Sequence, residues 1–141
     1  MTAYTVLFVD DEQDFLHCLR RALAEGPYHC LFADSADKAL AIMNAQPVHI
    51  VVADIHMPGM SGLELLADVT QHYPETVCIL LSGQSSIEPC DISQMVQAVH
   101  KGEVFKFIAK SVELEATIRE VLQEAVAYCE AKSPQGSAST G

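Results

Sequence analysis

The sequence predicts an α/β protein built on one doubly wound, five-stranded parallel sheet with strand order 2-1-3-4-5. Five short apolar runs alternate with five amphipathic segments, which is typical of parallel strands joined by helices that cover both sheet faces. The second and fifth runs contain His29 and Lys106, whereas the other three are almost wholly apolar. Because central strands of such sheets are buried on both faces, the second and fifth strands are predicted to be the edges.

The five apolar runs are rich in β-branched and aromatic residues, which favours strands. They cover Tyr4–Val9, Tyr28–Ala33, Val48–Ala53, Thr76–Leu81 and Val104–Ala109. The segments between them repeat apolar residues at helical spacing, which predicts five helices packed on the sheet. The predicted core faces, in order, are Phe15, Leu16, Leu19, Ala22, Leu23; Ala36, Ala39, Leu40, Met43; Leu65, Leu66, Val69; Ile92, Met95, Val96, Val99; and Leu114, Ile118, Val121, Leu122, Ala125, Cys129. These elements predict a flavodoxin-like (βα)5 three-layer sandwich.

Short polar residues and glycines mark the predicted helix ends. Ser35 and Ser61 precede the second and third helices, where a hydroxyl can accept a hydrogen bond from a free backbone N–H, so they are predicted N-caps. Gly26–Pro27 and Gly102 follow the first and fourth helices and are predicted to end them.

The length and charge of the chain limit its function. Its 141 residues suit one domain, predicted over residues 1–132, and the small polar residues 133–141 predict a flexible tail or linker. The net charge of −11 argues against direct binding to nucleic acid or to an anionic membrane, and no apolar stretch is long enough to span one. This charge fits either a surface that serves solubility alone or a concentrated acidic site.

The cysteines indicate a reducing compartment. Their number is odd and none forms a C-x-x-C pair, which argues against a disulfide framework or a zinc site and predicts a cytoplasmic location. Most lie in apolar segments, so buried thiols are predicted. They are Cys18, Cys30, Cys78, Cys90 and Cys129.

Charged and polar side chains follow four of the five predicted strands. Ligands of doubly wound sheets bind outside the carboxyl ends of the central strands, so these side chains are expected to converge on a binding site. They are Asp10, Asp11 and Glu12 after the first strand, Asp54 after the third, Ser82 and Gly83 after the fourth, and Lys110 after the fifth.

This set of residues predicts metal-dependent phosphoryl chemistry. Crowded aspartates repel one another, and hard oxygen ligands suit Mg²⁺, or alternatively Mn²⁺. Such an ion would accept phosphoryl oxygens, to which Lys110 would add a positive charge and Ser82 a hydrogen bond. An aspartate beside the ion can act as a nucleophile and form an aspartyl phosphate.

Taken singly, each of these residues also has a simpler interpretation. The acids after the first strand could cap the first helix, and the Pro-Gly pair after Asp54 could mark only a turn. Ser82 could belong to a plain loop, Lys110 could be an ordinary solvated lysine, and Phe107 could be a core residue. The ring of His56 is predicted to face solvent rather than a metal.

Four motifs carry a family resemblance. They are VLFVDDE at 6–12, VVADIHMPGMSGLELL at 51–66, ILLSG at 79–83 and VFKFIAK at 104–110. In this order, each at a predicted strand end, they resemble the receiver domain of two-component response regulators, and the resemblance covers Tyr4 to Cys129.

The resemblance implies a role for each matching residue. Asp54 would be the phosphoacceptor, and Lys110 would pair with the phosphoryl group. Asp11, as the more direct ligand, Asp10, often through water, and the backbone carbonyl of His56 would bind the metal. Ser82 would be the switch hydroxyl and Phe107 the switch aromatic, which rotates inward when that hydroxyl moves.

The resemblance also implies partners. A histidine kinase or a phosphotransfer protein would donate the phosphoryl group, and the face formed by the fourth helix, fifth strand and fifth helix would respond. That face would dock a partner, an output domain or a second copy of the chain. The stretch 97–107 further resembles receivers joined to HD-GYP or related cyclic-dinucleotide output domains.

Two positions depart from the family pattern. Ser111 follows the lysine where the family usually has Pro, often with a cis peptide, and a cis bond before a non-proline residue costs about 2.5–4 kcal/mol. A trans bond with a rearranged loop, or stored strain, is therefore expected. Gly83 stands where the family often has Ala and would loosen the loop beside the phosphoryl group.

Three other functions compete with a phosphoryl-accepting switch that is not otherwise an enzyme. Phosphatases with an aspartate nucleophile place D-x-D after the first strand, a spacing absent here. A flavin or nucleotide binder of flavodoxin shape needs a phosphate loop of Gly, Ser or Thr N–H groups, whereas this loop is acidic. A receiver-like docking module that acts without phosphorylation is the third alternative.

Overall fold

A computed structural model of the chain describes residues 4–57, 59–83, 89–110 and 113–132. Five strands alternate with five helices. The strands are β1 (Tyr4–Val9), β2 (Tyr28–Ala33), β3 (Ile50–Asp54), β4 (Val77–Gly83) and β5 (Lys106–Lys110). The helices are α1 (Gln13–Ala22), α2 (Ala36–Ala45), α3 (Gly62–His72), α4 (Pro89–His100) and α5 (Leu114–Lys132). The predicted tail 133–141 lies outside the described residues.

The sheet has the predicted topology. All four strand pairs are parallel, in the order β2-β1-β3-β4-β5, with β2 and β5 at the edges. The last three strands begin one or two residues later than predicted and extend further at their carboxyl ends. Asp54, Ser82 and Lys110 therefore lie within the last rungs of their strands rather than after them, where the ladder fixes their backbone.

Two apolar clusters hold the helices on opposite faces of the sheet. One joins side chains of the sheet to α2, α3 and α4, and the other joins the sheet to α1 and α5. The central strand β3 is buried throughout, and the last four residues of β1 are buried as well. The predicted core faces of α2, α3 and α5 are confirmed, since their residues belong to these clusters.

The predicted helix ends at Ser35, Ser61 and Gly102 are confirmed, whereas α1 ends at Ala22 with Leu23 as its C-cap, before the predicted stop at Gly26–Pro27. The Ser35 hydroxyl accepts a hydrogen bond from the Lys38 N–H, and Ser61 forms a capping box with Glu64. Gly102 follows α4 with φ of +78°, a left-handed conformation that favours glycine and ends the helix.

Two predictions about burial are wrong. Val96 and Val99 of α4, predicted to face the core, are 49% and 42% exposed, while Ala98 of the same helix is buried. The sheet contacts α4 along a line rotated from the predicted stripe, with Met95 and Ala98 against the core. The general prediction of buried thiols holds for Cys78, whereas Cys30 and Cys129 are half-buried and Cys18 is exposed. Ile92 and Cys90 have side chains outside the described part.

Within the described ranges, every helix is too short or too polar to cross a lipid bilayer.

Candidate functional site

The carboxyl edge of the sheet gathers the predicted polar residues. Asp10 follows β1, and its N–H donates to the carbonyl of Ala33 at 3.1 Å. Asp54 ends β3 opposite Leu81, and Lys110 ends β5 opposite Gly83. The parallel register thus brings the ends of three strands to one rim.

Three aspartates at this rim lie close enough to share an ion. One carboxylate oxygen from each of Asp10, Asp11 and Asp54 lies within 4.8 Å of the others. Asp10 and Asp54 are buried, whereas Asp11 is exposed. We call Asp10, Asp11, Asp54 and the neighbouring Lys110 the acidic rim.

Lys110 is the cation of the acidic rim. Its Nζ lies 2.7 Å from Asp10 Oδ2, 3.5 Å from Asp54 Oδ1 and 3.3 Å from Glu12 Oε1. Glu12 is the N-cap residue of α1, but its side chain makes no capping hydrogen bond. Its carboxylate instead contributes to the lysine site, so the simpler interpretation of these acids as helix caps does not describe Glu12.

Burial and mutual repulsion dominate the electrostatics of the rim. Burial, followed by the charge of Asp10, raises the pKa of Asp54 to about 6. Burial likewise raises the pKa of Asp10, although Lys110 opposes this shift. Burial alone would lower the pKa of Lys110, but its carboxylate partners, Asp10 first, raise it overall. The site therefore holds more negative charge than one lysine compensates.

The donor set fits a hard divalent cation. Oδ1 of Asp10 accepts a hydrogen bond from the Glu12 N–H at 2.9 Å. Oδ2 of Asp10 is buried and has no hydrogen-bond donor of good geometry among the described residues, so its compensation is the ion pair with Lys110. An underused buried carboxylate oxygen beside two further carboxylates suits Mg²⁺ or Mn²⁺, which prefer oxygen ligands.

Helix α3 is packed directly against the end of β3. Its first residue, Gly62, is buried and donates its N–H to the Ile55 carbonyl at 2.9 Å. A Cβ at this position would overlap the carbonyl oxygen of Asp54 and lie 2.8 Å from its carbonyl carbon. Only glycine permits this approach, which fixes the backbone that carries the Asp54 side chain.

The remaining predicted residues lie on the strands and the loop that form the acidic rim. Ser82 is buried (4% exposed) and pairs with Ala109 in the next strand. Phe107 is half-buried and packs on the cluster beneath α2, α3 and α4. His56 is exposed two residues after Asp54, as predicted for its ring. Ser111, and with it the state of the Lys110–Ser111 peptide, lies outside the described residues.

Three residues of the site are absent from the sequence-based prediction of roles. The sequence places Glu12 at the rim but does not indicate that it reaches Lys110. The spacing predicts Phe15 on the core face of α1 but does not indicate that Lys110 Nζ lies 4.5 Å from its ring centroid. Gly62 belongs to the motif at 51–66. Residue spacing, however, does not indicate a close approach between a helix and a strand.

Comparison with known proteins gives a consistent result. Residues 6–123 match the family model described as the response regulator receiver domain. The hydrogenase transcriptional regulatory protein HoxA of Cupriavidus necator is 37% identical over 106 residues, which are 75% of this chain and 21% of that protein. The C4-dicarboxylate transport transcriptional regulatory protein DctD of Rhizobium meliloti is 34% identical over 108 residues, which are 77% and 22% of the two chains.

A solved structure matches the whole fold. The signal receiver domain of an HD domain-containing protein from Pseudomonas fluorescens Pf-5 superposes with a TM-score of 0.81 and 29% identity, over 92% of this chain and 99% of that one. By contrast, the chain spans only about a fifth of the length of the two curated relatives.

Proposed function

Because this chain belongs to the response regulator receiver family, we propose that it is a phosphoryl-accepting switch with Asp54 as the acceptor. The observation that carries the proposal is the acidic rim, where Asp54 lies within reach of two further aspartates and of the Lys110 ammonium. We further propose that residues 1–132 form the receiver and that 133–141 serve as a tail or linker.

In the proposed reaction, a carboxylate oxygen of Asp54 attacks the phosphorus of a phosphohistidine. The new P–O bond forms as the P–N bond breaks, and the departing imidazole nitrogen keeps the bonding electron pair. With a pKa of about 6, the Asp54 carboxyl is mostly ionised at neutral pH and needs no separate base. Lys110, 3.5 Å from Asp54 Oδ1, is positioned to pair with the transferred phosphoryl oxygens.

Asp10, Asp11, Asp54 and the backbone carbonyl of His56 would hold a Mg²⁺ ion at this rim. When bound, the ion supplies positive charge that neutralises the carboxylates and accepts phosphoryl oxygens. Asp10 contributes in a second way, because its buried carboxylate holds the Lys110 ammonium at 2.7 Å.

Ser82 and Phe107 are the proposed switch residues. Ser82 lies in the last rungs of β4, one residue after the partner of Asp54 in the ladder, so a hydroxyl there can respond to a new phosphoryl group. Phe107 is half-buried in the neighbouring strand, which leaves it room to rotate inward. Their movement would change the surface formed by α4, β5 and α5.

The proposed partners follow from this surface and from the reaction. A histidine kinase or a phosphotransfer protein would supply the phosphoryl group. A second copy of the chain could dock on α4, β5 and α5, because Val96, Val99 and Tyr128 expose apolar area there. Direct binding to nucleic acid is not proposed, given the net charge of −11. The cytoplasmic location stays a prediction.

The chain is proposed to catalyse only its own phosphorylation and dephosphorylation. An aspartate-nucleophile phosphatase would turn over a phosphate ester continuously, whereas a receiver accepts one phosphoryl group per molecule. A docking module that works without phosphorylation would bind its partner equally well with Asp54→Asn.

Intact-mass spectrometry with a small phosphodonor tests the proposal. Incubation with acetyl phosphate and Mg²⁺ is expected to add one phosphoryl group, which hydroxylamine removes. Asp54→Asn should abolish the adduct, and so should chelation of the metal. Asp37→Asn, which changes an exposed acid at the start of α2, serves as the matched control and should behave as wild type. Wild-type protein without an adduct, or an adduct that persists in Asp54→Asn, would overturn the proposal.

A further inference from the structure

The Lys110 ammonium is held on two sides by different chemistry. Carboxylates of Asp10, Glu12 and Asp54 lie 2.7, 3.3 and 3.5 Å from Nζ. The ring of Phe15 lies on another side, with its centroid 4.5 Å from Nζ. A cation at this distance from a ring centroid is attracted by the negative face of the ring, an interaction that strengthens when solvent is excluded. The Lys110 side chain is only 18% exposed.

The core fixes the position of the Phe15 ring. Phe15 lies in the first turn of α1, one turn after Glu12, and packs against the apolar cluster between the sheet, α1 and α5. The ring therefore contacts both this cluster and Lys110. A ring held in this way provides a fixed surface for a side chain that has four rotatable bonds.

We propose that Phe15 is a positioning residue that holds the Lys110 ammonium beside Asp54 during phosphoryl transfer. This inference rests on the proposed role of Lys110 in pairing with the phosphoryl group. Phe15 itself touches no reacting atom and acts only through the lysine.

The ring has a role that Asp10 and Asp54 cannot fill. The carboxylates that pair with Lys110 include Asp10 and Asp54, which are also proposed to bind the metal and to receive the phosphoryl group. Charge neutralisation at these residues weakens their hold on the lysine. Neither metal binding nor phosphorylation changes the face of the Phe15 ring. The ring therefore keeps Lys110 Nζ at the rim while the ionic partners of the lysine change.

A series of fluorinated phenylalanines at position 15 tests this role. Fluorine weakens the negative face of the ring while nearly preserving its shape. The rate of Asp54 phosphorylation by acetyl phosphate at saturating Mg²⁺ is expected to fall stepwise with fluorination, reaching about three- to tenfold for the trifluorinated ring. Phe15→Tyr, which keeps the ring face, should retain a rate close to wild type, whereas Phe15→Leu should match the slowest member.

The same series in the Lys110→Gln background separates positioning from packing. If Phe15 acts through the lysine, fluorination should no longer change the residual phosphorylation rate. A series that is flat in the wild-type background, or one that falls equally in Lys110→Gln, would overturn the inference. Neither result would affect the proposed function, which fails if the wild-type chain takes up no phosphoryl group or if Asp54→Asn still takes one up.

A spectroscopic measurement tests the contact without any phosphorylation. The ring current of Phe15 should shift the ε-methylene proton resonances of Lys110 upfield, with Mg²⁺ present as well as absent. The chain has only five lysines, so these signals can be resolved by selective isotope labelling. Phe15→Leu should move the Lys110 signals to the positions of the other lysines, and unchanged signals would contradict the contact.

Discussion

The acidic rim and the outer face of α4 differ in which side chains they bury and which they expose. At the rim, two carboxylates are buried: Asp10 is wholly inaccessible, and Asp54 shares its surroundings with Asp10 and Lys110. On the outer face of α4, the apolar Val96 and Val99 are exposed to solvent. Neither arrangement is what burial of apolar surface alone would produce.

The difference separates two kinds of functional feature. Buried like charges destabilise the metal-free protein, and they persist where a ligand or a reaction needs them. Exposed valines change the free energy of folding little. They stabilise the protein only when another surface buries them. The first feature can be tested by stability and pH dependence, and the second by showing that the core does not need these residues.

The largest effect on stability is expected for Gly62→Ala, which would displace the backbone that carries Asp54. The added Cβ overlaps the Asp54 carbonyl oxygen, so α3 and the end of β3 must separate, at an expected cost of about 3 kcal/mol or more. Chemical denaturation would measure this cost. Gly102→Ala is the matched control, since Gly102 has φ of +78° and no atom near the new Cβ; it should cost only about 1–2 kcal/mol. Equal costs for the two variants would contradict the close approach.

An intermediate effect is expected from pH, because the pKa of Asp54 rises from 3.8 to about 6 on folding. A carboxyl with a raised pKa favours the folded state less once it ionises. Its contribution is absent below about pH 4, and it destabilises the metal-free protein progressively as pH rises to about 6, with a full size on the order of 2–3 kcal/mol. In the metal-free state, Asp54→Asn should therefore be more stable than wild type at pH 7.5 but not at pH 4.

Thermal unfolding across this pH range would measure the difference between the two proteins. Mg²⁺ should raise the melting temperature of the wild type at pH 7.5 and do so less at pH 5, where protons compete for the carboxylates. A stability difference between wild type and Asp54→Asn that does not vary with pH would show that the Asp54 carboxyl is not held in a buried, repulsive environment.

The sequence predicts the rim better than it predicts α4 for a physical reason. Strand order and the identity of strand-end residues determine which side chains meet, so Asp10, Asp54 and Lys110 could be brought together from alternation alone. Contacts that depend on the reach of a side chain or on the rotation of a helix could not be predicted in this way. Glu12 reaching Lys110, Phe15 lying beside it and Gly62 touching the Asp54 backbone all depend on the angle at which a helix docks.

The α4 helix shows the same limit in its plainest form. Ile92, Met95, Val96 and Val99 have the spacing of one buried stripe, yet Val96 and Val99 are exposed and Ala98 is buried beside Met95. An apolar residue on a helix can face the core or a partner, and periodicity does not distinguish the two.

The smallest effect is therefore expected for Val99→Gln, which tests whether the α4 outer face is unused by the core. Val99 is 42% exposed, so the substitution should change the free energy of unfolding by no more than about 0.5 kcal/mol. Ala98→Gln, one residue earlier and buried at 5% exposure, should destabilise by about 2 kcal/mol or more, because a polar side chain is forced into the core. Chemical denaturation of both variants measures the two changes in the free energy of unfolding. If Val99→Gln costs as much as Ala98→Gln, then Val99 packs in the core as the spacing predicted, and the contrast between buried charges at the rim and exposed apolar side chains on α4 does not hold.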